Sequence, residues 1–334
     1  MPHIDHISLS NFRSFAEASC RLSPLTLMVG RNNVGKSNFL KAFQAHAENC
    51  KDWMNTKLEV DSHYQTRTGI EPTPVTLELA WSNEHRVRTS SEIHEHDAES
   101  YNAIFPEIYS LDPAKIGGTE PAETTAGVIP RVFSDGKGVT SVLRMLMQGN
   151  AAMRQRFQTI ERQWRQCVPE IKTLHLPPTG PVFLMVEQQG IPDSLPLSDL
   201  SDGARLILGI LTIIHQETPP PLILLEDLDH RIHARLFSSL VSFMRDQTSS
   251  GAISQIIATT HNPYLVDEFL ETPEAVVIVE KTEGRSTLVN MDERLARFLE
   301  KGESLDLPLG QVLFSGLADA PPPASLLVVK PKAA

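Results

Sequence analysis

The string Gly30-Arg31-Asn32-Asn33-Val34-Gly35-Lys36-Ser37 sets two glycines five positions apart and follows the second at once with a lysine and a hydroxyl. Glycines so placed let successive backbone N–H groups turn toward one centre, an arrangement that suits a multiply charged anion. A lysine at the next position brings a cation to the β and γ phosphates of a nucleotide, and the Ser37 hydroxyl offers a ligand to Mg²⁺. The pattern is that of a P-loop, and it predicts ATP with Mg²⁺ as the bound species.

A P-loop needs a further acid on another strand to complete the metal shell and a group that positions the attacking water. Leu222-Ile223-Leu224-Leu225-Glu226-Asp227 is an apolar run stopped by two acids. Glu226 at the strand end is the expected metal ligand beside Ser37, and Asp227 is the expected base. Two more strings sit at junctions between elements. Leu200-Ser201-Asp202-Gly203 precedes an apolar helical stretch, and Thr259-Thr260-His261-Asn262-Pro263 follows an apolar run. Taken alone, the first reads as a helix N-cap and the second as a turn.

The elements that must hold these residues follow from periodicity. Residues 4–9 read as a strand, residues 11–15 as a turn, and residues 25–29 as the strand that delivers Gly30. From residue 35 to about 47, Phe39, Leu40 and Phe43 recur at helical spacing. Residues 75–81 alternate like a half-exposed strand, and residues 182–186, 222–225, 253–259 and 276–279 read as further strands. Met153, Phe157, Ile160 and Trp164 mark an amphipathic helix whose other positions carry Arg154, Arg156, Arg162 and Arg165, and residues 206–215 mark an apolar helix. Residues 82–138, rich in Glu, Pro, Gly and Thr, read as loop and insertion. Strands alternating with helices indicate an α/β fold, a P-loop NTPase with a mainly parallel sheet flanked by helices and a helical and loop insertion.

Composition narrows the class further. The 334 residues are 41% hydrophobic and 21% charged, which is enough to build a folded core. Cys20, Cys50 and Cys167 show no paired spacing, so neither a disulfide framework nor a cysteine zinc site is expected. No apolar run approaches about 18 residues and no leader pattern opens the chain, so a cytoplasmic protein without membrane association is expected. The net charge of −11 gives no global attraction to nucleic acid, and any such contact would be local, for example through the arginines of the 153–164 helix.

Taken in order, the four strings resemble the Walker A, signature, Walker B and switch-histidine motifs of ABC-type ATPase heads. The resemblance is to the RecF, SMC and OLD branch and its small prokaryotic AAA-domain ATPases. It extends over Ile7-Ser8-Leu9-Ser10-Asn11-Phe12-Arg13-Ser14-Phe15, over Asp229-His230-Arg231-Ile232-His233, and over Glu303-Ser304-Leu305 to Ser315-Gly316-Leu317. It implies a single head from 1 to 334, with an N-lobe over 1–81, an insertion and helical region over 82–180, a C-lobe over 181–320 and a loose tail over 321–334. It also implies that Arg13, residues 30–37 and Asn38 bind nucleotide, that His261 serves the catalytic centre, and that Ser201, Asp202 and Gly203 reach the γ-phosphate held by another subunit. The expected assembly is a homodimer or higher oligomer through ATP-sandwiched heads. The expected role is control of a separate effector, such as a nuclease, in DNA transactions or anti-phage defence, with nucleic acid as a further candidate partner.

The chain departs from the resembled pattern at the acids, where Asp227 stands in place of the usual glutamate and Leu228 in place of proline, so hydrolysis is expected to be slow or absent. A nucleotide-gated scaffold is therefore the alternative. Ala234 replaces another proline, and no Q-loop glutamine is assigned, Gln65 being the nominal choice. Val277-Ile278-Val279-Glu280 resembles the opening of a TOPRIM nuclease, but residues 281–334 lack the Asp-x-Asp that such a centre needs. His94-Glu95-His96-Asp97 and the pair His230 and His233 are set aside as metal sites.

Overall fold

The computed structural model describes residues 3–52, 76–82, 86–90, 94–95, 106–118, 129–176 and 184–300. In chain order the first elements are β1 (Ile4–Phe12), β2 (Phe15–Arg21), β3 (Leu25–Val29), α1 (Lys36–Asp52), β4 (Thr76–Trp81), β5 (Arg86–Ser90) and β6 (His94–Glu95). Next come β7 (Glu107–Tyr109), α2 (Val139–Gln148), α3 (Ala151–Cys167), β8 (Ile171–His175), β9 (Met185–Gln188), β10 (Leu195–Pro196), α4 (Asp202–His215), β11 (Leu222–Leu225) and α5 (Phe237–Ser249). The last are β12 (Gln255–Thr260), α6 (Pro263–Asp267), β13 (Val276–Thr282), β14 (Arg285–Asn290) and α7 (Met291–Glu300). The chain forms two compact units, Met1–Pro106 with Ser254–Ala334, and Glu107–Ile253. The range read as a C-lobe is thus shared, residues 184–253 lying in one unit and residues 254–300 in the other. Among the described residues, no helix is long and apolar enough to cross a membrane.

In the first unit, β3 is the strand on which the P-loop depends. All five of its residues are buried, and it pairs in parallel with β12 on one side and β13 on the other. A strand covered on both faces must be apolar throughout, which is why Leu25 to Val29 shows no alternation. β14 returns antiparallel to β13. A separate antiparallel sheet runs in the order β2-β1-β4-β5-β6. Its β1 keeps Ile4, Ile7, Leu9 and Phe12 buried and the residues between them partly exposed. The buried Gln255 side chain accepts from Ile4 N at 3.1 Å and donates to Ile4 O at 2.8 Å, so the start of β12 satisfies the start of β1.

In the second unit, α4 carries eleven buried residues and is apolar on nearly every face, the pattern of a helix packed all round. Gly209 lies within it because a Cβ there would come within 2.8 Å of Ile116 Cδ1. α3 packs beside α4, burying Ile160, Trp164 and Cys167, and Trp164 Nε1 donates to Ala204 O at 2.9 Å. The expected periodicity of that helix is realised, and Asn150 caps its start by accepting from Met153 N. β11 pairs in parallel with β7, and β8, β9 and β10 form a small antiparallel sheet.

Three expectations are corrected. The segment after the turn at residues 11–15 is β2, which pairs with β1 from Phe12↔Phe15 to His6↔Arg21, so β3 is the third strand and not the second. The stretch 82–138 is not all loop, since it holds β5, β6 and β7. These strands are short and charged (Arg-Val-Arg-Thr-Ser, Glu-Ile-Tyr), and their extended state comes from pairing with β4 and β11. The 206–215 helix begins at Asp202, one turn earlier than its apolar run. Gln65, His96, Asp97, the 303–317 match and the 321–334 tail lie outside the described residues.

Candidate nucleotide site

The P-loop leaves β3 and enters α1, whose first residue is Lys36. Asn33 takes φ 64 and Gly35 takes φ 119, so the loop turns its backbone through left-handed conformations within three residues. Gly35 has no alternative, because a Cβ would meet Ser286 Oγ at 2.6 Å and Ser14 Oγ at 3.1 Å. Gly30 is required by crowding instead, since its Cβ would sit 2.4 Å from Val279 O. Lys36 is buried, with 7% exposure, and its Nζ donates to Gly30 O at 2.8 Å and Arg31 O at 2.9 Å. A lysine is rarely buried without partners, and here the ammonium is seated on the loop it follows. Ser37, Arg31, Asn32 and Asn33 are exposed, and Val34 and Asn38 are partly so.

The other sequence-predicted residues of this unit gather at the same loop. Arg13, at φ 52 in the β1–β2 turn, donates from Nη1 to Asn38 Oδ1 at 3.3 Å, and Asn38 Nδ2 donates to Ser14 Oγ at 3.0 Å. Thr260 of β12 is in register with Val29 of β3, so exposed His261 and Gly30 leave neighbouring strands at the same edge. Asn262 next to it caps α6 by accepting from Tyr264 N. Two residues that sequence reasoning passed over also touch the loop: Ser286 Oγ donates to Val34 O at 2.5 Å, and Lys281 Nζ donates to Asn33 O at 3.3 Å. Nothing in the local sequence marks them, because their place depends on the long-range pairing of β13 with β3.

In the second unit the acids close β11, and the signature-like string meets the segment that follows them at Arg231. Glu226 follows β11 and donates from its backbone N to Tyr109 O at 2.9 Å, continuing the β7 ladder past the strand end. Asp227 is exposed at φ 51. Glu226, Asp227, His230, Arg231 and Asp112 line a cavity of about 370 Å³ whose apolar wall includes Leu206 and Ile210 of α4. Burial and the neighbouring Glu107 push the Tyr109 phenol, which also lines this cavity, well above its ordinary value.

Ser201 is the N-cap of α4, its Oγ accepting from Ala204 N at 3.4 Å. The Asp202 carboxylate is held by Arg231 and Arg205, each at 2.5 Å, and the Arg231 hydrogen bond is the main cause that keeps its pKa below the usual carboxylate range. Gly203 is buried, and a Cβ there would meet Arg231 O at 2.9 Å. The start of α4 and the segment after the acids therefore form one interlocked corner, which the sequence strings, 30 residues apart, do not disclose.

Several set-aside residues have intramolecular partners. His230 Nε2 accepts from Arg231 Nε, and His233 Nδ1 accepts from Arg235 N as a cap. Glu280 is paired with Arg294 at 2.6 Å. Of the α3 arginines, Arg154 donates to Gly149 O, Arg156 to Gln216 O, and Arg165 pairs with Glu161.

Comparison with known proteins adds the class. Residues 3–105 match a family profile described as "AAA ATPase domain", and residues 169–267 match one described as "AAA domain, putative AbiEii toxin, Type IV TA system". Among solved structures, an Smc head bound to the C-terminal winged-helix domain of ScpA superposes with a TM-score of 0.53 at 14% identity, covering 88% of this chain and 99% of that one. The SMC head domain from Thermotoga maritima gives 0.50 at 15% identity, covering 86% and 98%. An Smc head from Pyrococcus furiosus, with an extended coiled coil and bound to a C-terminal domain of ScpA, gives 0.52 at 12% identity, covering 90% and 99%. No curated protein matches the sequence significantly. The fold is that of an ABC-type ATPase head. Among solved ATPase heads, the fold is similar to that of SMC head domains.

Proposed function

We propose that this chain binds ATP with Mg²⁺, hydrolyses it slowly, and closes head to head with a second copy on two shared nucleotides so as to control a partner effector. The observation that carries the reading is the seating of Lys36, a buried ammonium held by the carbonyls of Gly30 and Arg31 at the β3–α1 junction. With those carbonyls turned to the lysine, the N–H groups on the other side of the same peptides are available to phosphate oxygens, and the start of α1 adds its dipole. Residues 30–37 would hold the phosphates, with Arg13 and Asn38 fixing the loop from the side. Ser37 and Glu226 would be the protein ligands of Mg²⁺, which when bound neutralises phosphate charge. Asp227 would orient a water and accept its proton and His261 would serve the same chemistry, while Ser201 and Gly203 would present backbone amides to the nucleotide of the other subunit.

The SMC heads of like fold are seen bound to domains of ScpA, which fits a head that acts on another chain. For this protein the effector is a separate enzyme such as a nuclease, in anti-phage defence or DNA transactions, with direct nucleic-acid contact a further part of the reading. The second reading, a scaffold that binds ATP and assembles with little hydrolysis, is favoured by Asp227, whose side chain is a methylene shorter than the usual glutamate and springs from a fixed left-handed backbone.

Calorimetry tests the core of the proposal. Wild-type protein should bind Mg·ATP and the Lys36→Ala variant should show no measurable binding, since the charge facing the β and γ phosphates is gone. Equal affinity in the two would overturn the assignment of the loop.

A further inference from the structure

β13 is longer than the strand it pairs with. Its Ile278 is in register with Val29, the last residue of β3, so residues 279–282 continue alongside the P-loop after β3 has ended. Val279 O crowds Gly30, Lys281 Nζ reaches Asn33 O, and from the returning strand β14 the buried Ser286 places its Oγ on Val34 O and its side chain against Gly35. Ser286 N also donates to Ser14 O at 2.7 Å, which joins the hairpin to the β1–β2 turn that carries Arg13.

A peptide group is planar, so fixing the direction of a carbonyl fixes the N–H of the following residue in the opposite direction. Lys36 fixes the carbonyls of Gly30 and Arg31. Lys281 fixes that of Asn33, Ser286 that of Val34, and Phe39 N that of Gly35 at 2.9 Å. The N–H groups of Arg31, Asn32, Val34, Gly35 and Lys36 are thereby set before any anion arrives. Two of the five carbonyls are fixed from a hairpin about 250 residues away in sequence.

Resting on the nucleotide-site reading above, we propose that the β13–β14 hairpin is a brace that preorganises the P-loop for phosphate, with Ser286 and Lys281 as its positioning residues. Neither residue needs to touch the nucleotide. Ser286 acts through the Val34 peptide, and Lys281 acts through the Asn33 peptide while adding positive charge at the rim of the loop. Without them the loop must order these peptides when it binds, and that cost is subtracted from affinity.

The test is titration of the full chain with Mg·ATP and Mg·ADP at a temperature well below unfolding, with circular dichroism to confirm folding. Ser286→Ala should weaken both nucleotides by a similar factor of about five to ten, the usual worth of one intramolecular hydrogen bond. Ser286→Thr, which keeps the hydroxyl, should recover most of that loss. At the exposed site, Lys281→Gln should weaken both nucleotides severalfold and Lys281→Arg should restore binding. A role in general stability alone would lower the unfolding midpoint and leave the affinity of the folded protein unchanged. Unchanged affinity in both Ser286→Ala and Lys281→Gln, while Lys36→Ala abolishes binding, overturns the brace and leaves the P-loop reading intact. Failure of the wild type to bind either nucleotide overturns both.

Discussion

Asp227 leaves β11 at φ 51, a left-handed conformation that aspartate and asparagine tolerate better than other side-bearing residues. Replacement by asparagine should therefore preserve the turn while removing the base. If Asp227 orients and deprotonates water, Asp227→Asn should reduce turnover by about a hundredfold or more, the usual share of a general base, with Mg·ATP affinity retained. Phosphate release and calorimetry on the same preparations would check this. Turnover equal to wild type and well above background would remove Asp227 from catalysis, and no turnover in the wild type would favour the scaffold reading. The acid at the start of α4 is not interchangeable with it, because Asp202 is tied to Arg231 and Arg205, which hold its carboxyl below the usual range and leave it little basicity to offer.

At the scale of elements, the sequence disclosed what local pattern controls and missed what distant pairing controls. β3 and β11 were legible because buried parallel strands must be apolar on both faces, and α3 because its core-facing residues recur at steps of three and four. β2, β5 and β7 were not, since each is short or polar and is extended only through its neighbour. The same limit hid Ser286 and Lys281, whereas Arg13 and Asn38 were reached only through resemblance and meet in the structure at 3.3 Å.

The junction of α3 and α4 carries a consequence for pH. His215, in the last turn of α4, lies tilted against Phe243 with ring centroids 5.9 Å apart and shares a 2.7 Å hydrogen bond with Gln163 of α3. Burial, then the charges of Arg156 and Arg162, lower its pKa from 6.5 to about 4. A base whose folded pKa is depressed binds its proton more readily when unfolded, so its contribution to stability is complete above about pH 6.5 and is lost as pH falls toward 4. A shift of this size corresponds to at most about 3 kcal/mol. Urea unfolding should show stability falling between pH 7 and pH 4.5, and His215→Gln should flatten that dependence. An identical pH dependence in the variant would assign the titration to other groups.

For the whole molecule, the decisive question is whether one chain contains a complete site. The corner at the start of α4 places Ser201 exposed and capping, with Asp202 and Gly203 held against Arg231. On the proposed reading this loop would serve the nucleotide of a second copy. A two-fold dimer would then hold two equivalent sites, each with residues 30–37, Glu226 and Asp227 from one chain and residues 201–203 from the other. Chains of net charge −11 repel one another, so their association should strengthen with moderate salt as well as with Mg·ATP. Complementation tests the shared site directly. Lys36→Ala removes the phosphate cation from one class of chain, and Ser201→Arg blocks the donated loop of another, so neither homodimer retains an intact site. In a mixed dimer, the P-loop of the Ser201→Arg chain faces the unaltered loop of the Lys36→Ala chain, and one of the two sites is complete. Equimolar mixing should give half of the dimers this composition at random association, and nucleotide-dependent association or hydrolysis should reappear at about a quarter of the wild-type level. If mixing recovers nothing, although light scattering and circular dichroism show folded chains that exchange, the shared site is refuted; undiminished activity of the Ser201→Arg chain alone would refute it too and mark each chain as a self-contained P-loop enzyme.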